Sequence, residues 1–518
     1  MAVLSTMMGW YFRKRVAFLE TAVKNAAEVQ LDVLKRLVND AKDTEWGKTY
    51  DFKSIETYQD FKNRFPIQDY ESLKPHIERV MAGAANVLWP GEIVWFAKSS
   101  GTTNDKSKFI PVSYETLEEC HFQGGKDVLT YYCLNAPDTE VFDGKSLLIG
   151  GSHKINSFNE NSFYGDLSAV LMNNMPTWAN LLKTPDKSIA LMDDWELKLE
   201  KMATQVVQEN VTSISGVPTW TIVLMEKLMA MKGTNNISDV WPNLQLYIHG
   251  GVSFTPYREL FKNMISNSNM KYLETYNASE GFFGIQSDLN DTALQLMPDY
   301  GIFYEFIKAS DLDLEHPETY LLGEVEAGVN YAVIISNSSG LWRYQLGDTI
   351  CFASTNPYKF HITGRTKLFI NAFGEEVVIE NAEKAIAHAC QVTDSKVREY
   401  TAAPIYLDKE DHAGHEWLIE FETEPSSINE FATALDSKLK EVNSDYEAKR
   451  HKDIALKMPR IQSMPNNTFY NWLKNKGKLG GQNKVPRLSN NREVLEEILR
   501  GQGLGDSPSF HSDEQSRG

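Results

Sequence analysis

A chain of 518 residues is longer than one hydrophobic core usually serves, so about two or three domains are expected. Hydrophobic residues at 42% and charged residues at 24% give the balance of an ordinary globular protein. A formal net charge of −18, with no long basic stretch, excludes bulk attraction to nucleic acid, so any anionic ligand has to be held by local donors.

The start of the chain, MAVLSTMMGWYFRKR, is briefly apolar but lacks the apolar core of a secretory leader. No run of about 18 apolar residues predicts a membrane span. The four cysteines, Cys120, Cys133, Cys351 and Cys390, form no C-x-x-C pair. That argues against a disulfide framework or a structural zinc and for a reducing, cytoplasmic setting. Neither a nucleic-acid nor a membrane partner is expected.

Between residues 11 and 42, Val16, Leu19, Val23, Ala26, Ala27, Leu31, Leu34 and Leu37 recur near helical spacing and predict one amphipathic helix. Residues 97–112, AKSSGTTNDKSKFIPV, join an apolar run at Ile93–Phe96 to another at Phe109–Val112. Ser99, Ser100, Gly101, Thr102 and Thr103 on a tight turn between two strands offer N–H and O–H donors, with Lys106 and Lys108 beside them. Converging donors around a glycine make a phosphate cradle, although an ordinary polar hairpin has the same composition.

From residue 93 to about 365, short apolar runs alternate with helical stretches. The runs are Leu147–Ile149, Leu244–Ile248, Tyr272–Tyr276 and Tyr331–Ile335; Val217–Met231 and Pro256–Ile265 are helical. This alternation predicts an α/β architecture. Three motifs within it carry chemistry. In HGGVSF, Gly250 and Gly251 close a strand and let backbone approach a ligand. In YNASEGFFG, Tyr276 offers a ring for stacking, and Glu280 offers a strand-end carboxylate for a divalent cation beside phosphates. In WRYQLGD, Asp348 follows a glycine at the end of a strand, where one carboxylate can accept two hydrogen bonds from a diol. Each also has a plain reading as a tight or capped turn.

After about residue 320 the pattern is strand-rich: Gly323–Glu326, Tyr331–Ser336, Leu341–Tyr344, Thr349–Ala353 and Phe360–Thr363. A boundary is placed near Arg365–Lys367, in HITGRTK. Beyond it, helices at Glu380–Ala389 and Ile428–Val442 and a strand at Trp417–Glu422 predict a separate α+β unit. Lys484 lies in GGQNKVPRL, a Gly-rich, Pro-ended loop expected to project from that unit. The expected domains are 1–365 and 366–502, followed by a disordered tail, 503–518. There is no G-x-x-x-x-G-K-[ST], no strand-borne G-x-G-x-x-G and no H-E-x-x-H, and DHAGHEW reads as a hairpin loop rather than a metal site.

SSGTT, YNASEG, RYQLGD and GRTK, in this order, resemble the adenylate-forming superfamily of acyl-CoA synthetases, peptide-synthetase adenylation domains and luciferases. SSGTTNDKSKFIPV, YNASEGFFG, LWRYQLGD, QNKVPR and the early WGKTYDF (Trp46–Phe52) are similar to one branch, the auxin-responsive acyl-acid amido synthetases. This is the Gretchen Hagen family of plants and its bacterial relatives, and a bacterial member is expected. The resemblance covers nearly the whole chain, and its motifs are specific in combination. It implies a large N-terminal domain of β-sheets flanked by helices plus a distorted β-barrel, and a small mobile α+β C-terminal domain. It implies that ATP activates a small carboxylic acid as an acyl-adenylate with release of pyrophosphate, and that an amino acid amine then forms an amide with release of AMP.

Carried over by motif, the resemblance assigns Ser99, Ser100, Gly101, Thr102 and Thr103 to the ATP phosphates. Tyr276, Ala278 and Ser279 would border adenine and the α-phosphate, with Gly250 and Gly251 also in the nucleotide site and Glu280 on Mg2+. Asp348 would take the ribose hydroxyls, with Arg365 nearby, and Lys484 would reach the α-phosphate and the carboxylate. The acyl pocket is expected on the helix beginning GVPTW, at Val217, Pro218, Trp220 and Thr221, where core packing is the plain alternative. There are two departures: Asn277 stands where glycine is commoner, and QNKVPR replaces Q-Y-K-T-P-R, keeping Lys484 and Pro486. A left-handed turn at Asn277 would survive the change, since asparagine tolerates that conformation. Two other readings stay open, an acyl-CoA ligase with a thiol acceptor and a nucleotide-binding protein without catalysis. The joint presence of Glu280, Asp348 and Lys484 argues against the second.

Overall fold

The computed structural model describes the chain apart from residues 1, 100–107, 151–154, 181, 193, 252–253, 255–256, 313, 315, 367–368, 371–376, 406–413, 444–445, 448–449, 451–455, 479–483, 490–491 and 503–518. It divides into two compact units. The first is Met1–Lys367 with Gly480–Lys484, and the second is Leu368–Leu479 with Val485–Gly518.

The single N-terminal helix expected from the apolar spacing is three helices, Ala2–Lys14, Val16–Lys24 and Ala26–Ala41. Arg15 falls at the first break, where its guanidinium pairs with the buried carboxylate of Asp127. Asn25 falls at the second, and its side-chain amide donates to the Thr21 carbonyl at 3.0 Å, competing with the helical ladder. Leu19, Leu34 and Leu37 are buried as the stripe requires, whereas Leu31 is exposed.

The described strands of the first unit are β1 (Trp95–Ser99), β2 (Lys108–Val112), β3 (Lys145–Leu148), β4 (Asn156–Ser157), β5 (Phe163–Gly165), β6 (Lys183–Thr184), β7 (Val211–Ser215) and β8 (Leu246–Gly250). They continue with β9 (Lys271–Ala278), β10 (Gly281–Ile285), β11 (Leu294–Leu296), β12 (Ile302–Lys308), β13 (Asn330–Asn337), β14 (Tyr344–Thr355) and β15 (Tyr358–Arg365). A small sheet has the order β2-β1-β5-β4, and a large one the order β12-β13-β14-β15-β11-β10-β9-β8-β7-β3-β6. The large sheet is parallel from β6 to β9 and antiparallel from β9 to β12. The antiparallel strands in which a barrel is expected thus run on from the parallel ones, joined through β11. Buried positions on successive residues of β7 and β13 fit strands covered on both faces.

The helix Pro218–Lys232 links β7 to β8, and Arg258–Met264 links β8 to β9. Pro218 occupies the first turn of its helix, where its missing N–H costs nothing, and Gly233 at φ +67° closes it.

Two runs read as strands are not strands. Leu322–Glu324 is a single 3-10 turn, closed by the Glu324 carboxylate accepting from Leu321 N at 2.7 Å. Leu341 to Arg343 form a buried turn before β14 because the Asn337 side chain takes the N–H groups of Ser339 and Leu341. Arg343 itself sits at φ +46°, an unusual position for a non-glycine residue. Its guanidinium compensates, donating to Glu305 and to the Lys62 and Phe65 carbonyls, with Tyr58 also on Glu305. Trp342 packs beside it against Phe52, Phe61 and Trp89.

The second unit contains β16 (Phe369–Ile370), β17 (Val377–Val378), β18 (Lys396–Ile405), β19 (Gly414–Thr423) and β20 (Arg460–Met464). β18 and β19 are antiparallel, and β20 runs parallel to β19. Helices Ile379–Thr393 and Ile428–Val442 pack their apolar faces with this sheet around Trp417, Ile419 and Phe431. His415, expected in a loop, lies buried within β19; His412 is outside the described residues.

Candidate active site

The order of the large sheet locates a crevice before any side chain is considered. From β3 the chain goes outward to β6, then returns to add β7, β8 and β9 on the other side. Strand order therefore reverses between β3 and β7, and ligands in open α/β sheets bind outside the carboxyl ends of the strands at such a point. The carboxyl ends of β7, β8 and β9 are held level by their register, with Ser215 opposite Ile248 and Gly250 opposite Thr275.

At the end of β8, a Cβ on Gly250 would lie 2.4 Å from the Thr275 carbonyl oxygen, so only glycine lets β8 and β9 approach there. Gly251 has φ +78°, and a Cβ on it would lie 3.0 Å from Lys484 Nζ and 4.0 Å from Val217 Cγ2. The Lys484 ammonium donates to the Gly251 carbonyl. Val217, half-buried, precedes the helix that carries Pro218, Trp220 and Thr221. Trp220 and Thr221 turn inward, and the Thr221 hydroxyl is 3.0 Å from the Val217 carbonyl and 3.4 Å from Tyr247 Oη.

On β9, Tyr276 is buried and its hydroxyl donates to Asp348 Oδ2. Asp348 is not at a strand end, as expected, but inside β14. The pairing of β14 with β13 skips there: Thr349 faces Ala332 and Gln345 faces Ile334, so Leu346, Gly347 and Asp348 stand against Val333 alone. This bulge, eased by Gly347 at φ +87°, keeps the strand going and re-aims the carboxylate. Arg365 ends β15 directly opposite Asp348.

Ala278 pairs with Gly281 across the β9–β10 turn, which carries buried Ser279 and Glu280. Asn337 Nδ2 donates to the Glu280 carbonyl at 2.9 Å and ties this turn to β13. Asn277 lies extended within β9, paired with Phe282 of β10, rather than in a left-handed turn, and its Oδ1 is 3.2 Å from His121 Nδ1. Burial pushes His121 down to about 4, so the ring is neutral near pH 7. Its neighbour Cys120 accepts from Phe282 N, and both sit on a π-helical turn, Thr116–Phe122. Nothing in the sequence marked His121, a lone histidine far from any motif.

Ser99 ends β1 opposite Lys108 of β2, while Ser100, Gly101, Thr102 and Thr103 lie outside the described residues. Sequence reasoning also gave no role to two arginines inside quoted motifs, Arg343 and Arg487, although a charge next to a proline or a tryptophan was a visible signal. A groove of about 730 Å3 lies elsewhere, between Leu31, Lys35, Lys42 and Ile55, Tyr58, and holds none of the expected residues. Among the described residues there is no grouping of three or more His, Cys, Asp or Glu that could hold a metal, and no helix is long and apolar enough to cross a membrane.

Residues 15–270 match the GH3 family N-terminal domain, 295–365 the central domain and 380–493 the C-terminal domain. The chain belongs to the GH3 family. It is 22% identical to the indole-3-acetic acid-amido synthetase GH3.3 of Arabidopsis thaliana over 93% of each protein. It is 23% identical to the jasmonoyl--L-amino acid synthetase GH3.5 of Oryza sativa subsp. japonica, over 93% of this chain and 96% of that one. Among solved structures, the AtGH3.15 acyl acid amido synthetase in complex with 2,4-DB matches with a TM-score of 0.78 at 16% identity, over 94% of this GH3 chain and 95% of that one. A 2-hydroxyisobutyryl-CoA ligase in complex with 2-HIB-AMP matches with a TM-score of 0.55 at 12% identity, over 95% and 92%. The GH3 chain therefore has the adenylate-forming fold.

Proposed function

We propose that this GH3 protein is an ATP-dependent acyl-acid amido synthetase. A small carboxylic acid attacks the α-phosphorus of ATP, the bond to the β-phosphate breaks and pyrophosphate leaves. The amine of an amino acid then attacks the acyl carbon, the bond to AMP breaks and an amide forms. The observation that carries this reading is Lys484, 233 residues along the chain from Gly251, with its ammonium on the Gly251 carbonyl at the end of β8. A cation there neutralises charge where two anions, carboxylate and α-phosphate, must meet.

The remaining roles follow from chemistry and position. Asp348 accepts from the ribose hydroxyls, with Tyr276 Oη orienting it and Arg365 opposite on β15. Ala278 and Ser279 border the base and α-phosphate, Gly250 lets β8 close on β9 beside them, and the segment Ser99, Ser100, Gly101, Thr102 and Thr103 takes the remaining phosphates. Val217 and the helix start at Pro218, Trp220 and Thr221 edge the acyl pocket. Mg2+ commonly takes one or two protein carboxylates plus substrate phosphates, and buried Glu280 at a turn fits that demand. Bound there, the ion would neutralise phosphate charge. The four free thiols support a cytoplasmic setting.

The test is mass spectrometry of products from Mg-ATP, the twenty amino acids and a panel of indole-3-acetic, jasmonic and 4-substituted benzoic acids, with coenzyme A as a rival acceptor. Amides with stoichiometric AMP support the proposal. Thioesters alone would identify a thiol acceptor, and ATP binding without AMP release would remove catalysis. Lys484→Ala is expected to abolish acid-dependent pyrophosphate exchange yet still convert supplied acyl-adenylate to amide.

A further inference from the structure

The bond from Lys484 to Val485 is one of those at which the chain passes between its two units: Lys484 groups with the first and Val485 with the second. Directly after that bond the backbone is tied down. Val485 and Leu488 are buried, and Leu488 bridges in parallel to Ala402 of β18. Ala402 N donates to the Arg487 carbonyl at 2.9 Å and Ser489 N to the Ala402 carbonyl at 3.0 Å. The Thr401 hydroxyl donates to the Pro486 carbonyl at 2.6 Å.

The side chain in the middle of this tie is Arg487, also buried. Nη1 is 3.1 Å from Glu383 Oε1 on the helix Ile379–Thr393, Nη2 is 3.4 Å from Glu399 Oε1 on β18, and the guanidinium lies 4.9 Å from the centre of the Tyr400 ring. The planar guanidinium fork holds two carboxylates on different elements in a fixed geometry, whereas an ammonium is a compact point charge that fixes none. Three residues of extended chain reach about 11 Å at most. The reach of the Lys484 ammonium is thus set by a short tether whose fixed end is Arg487.

We propose that Arg487, clamped by Glu383 and Glu399, is a positioning residue for adenylation: it fixes the backbone three residues beyond Lys484, and so the stretch of chain that carries the ammonium to the α-phosphate. This rests on the role of Lys484 given above. A slack tether lets the ammonium miss its place while the acyl-adenylate, once formed, still meets its amine.

The experiment compares wild type, R487K, E383Q, K484A and the double variant R487K/K484A. Each is assayed for pyrophosphate exchange with the panel acid that supports it best, and for amide formation from that acid's chemically prepared acyl-adenylate. R487K is expected to lose exchange by about tenfold or more, in keeping with the sensitivity of catalysis to misplacement by about 1 Å. Amide formation from the supplied adenylate should stay within about twofold, and E383Q should move the same way by less. Because Arg487 acts through Lys484, the double variant should be no worse than K484A in amide formation from the supplied adenylate, the half-reaction that K484A retains. Hydrogen exchange, which needs no substrate, should show the amides of Ala402 and Ser489 losing protection in R487K but not in K484A. Parallel loss of both half-reactions, a double variant worse than K484A, or unchanged protection of those amides would overturn the proposal. Unimpaired exchange in K484A would instead overturn the role of Lys484 itself.

Discussion

On one side of β9 the strands of the large sheet run parallel, and what they bring to the candidate site is mainly backbone: Gly250 packed on Thr275, the Gly251 carbonyl, the turn before Pro218. On the other side they run antiparallel and bring side chains, with Asp348 aimed by a bulge and the Glu280 turn pinned by Asn337. β9 belongs to both halves, and Tyr276 on it joins them through its bond to Asp348. The parallel half aligns its strand ends by topology alone. The antiparallel half needs extra fastening to put a mid-strand carboxylate in the right place, and Arg343 is part of that fastening.

Breaking that fastening should have the largest effect. Arg343→Met leaves the Glu305 carboxylate buried without its cation and strips donors from two carbonyls, so a loss of about 3–5 kcal/mol in unfolding free energy is expected. Urea unfolding measures it. A loss below about 1 kcal/mol would mean that the turn before β14 holds itself, and that the two halves do not differ in this respect.

The carboxylate alone comes next. Asp348→Ala removes a charged acceptor from the proposed nucleotide site, and apparent ATP affinity should fall by about 100-fold, since hydrogen bonds to charged groups are each worth about 1.5–3 kcal/mol. Stability should change far less than in the Arg343 variant. Steady-state kinetics with varied ATP checks this, and an unchanged KM for ATP would remove Asp348 from the site.

These two residues also show where sequence stops being legible. The α/β alternation, the strands ending at Gly250 and in Tyr276–Ala278, and the helix starting at Pro218 could be read because period, proline and glycine act within a few residues of themselves. The strand through Asp348 was misread because a glycine in a bulge looks the same in sequence as a glycine at an end. The N-terminal helix was read as one because its breaks depend on Asp127 for Arg15 and on a local amide bond at Asn25. Arg343, Arg487 and His121 gained their parts from partners on other elements, among them Glu305, Glu383 and Asn277. No local pattern encodes such pairs.

Acid should probe the parallel half. Burial, with Arg258 adding to it, holds His249 on β8 at about 3, below the usual value near 6.5. The unfolded chain therefore binds a proton below pH 6.5 that the folded chain refuses. The stabilisation is complete above about pH 6.5 and falls as pH drops, by about 1.4 kcal/mol per pH unit, or about 2 kcal/mol by pH 5. His121 adds a second such contribution. Urea midpoints at pH 7 and pH 5 should show the fall, and His249→Gln should reduce its slope by one proton. An unchanged slope would mean that the ring is already charged or solvated in the folded state.

The smallest change falls on the residue shared by both halves. Tyr276→Phe keeps the ring that packs against Phe283 and removes only the hydroxyl that orients Asp348. The carboxylate stays, still placed by its bulge, so the loss should be that of one hydrogen bond, about 1 kcal/mol, or roughly fivefold in KM for ATP with kcat nearly intact. If the bulge alone aims Asp348, KM will not move, and the antiparallel half works without help from β9. If kcat falls while KM holds, the hydroxyl acts on the transition state rather than on ribose binding, and the bond to Asp348 serves to hold the tyrosine instead of the reverse.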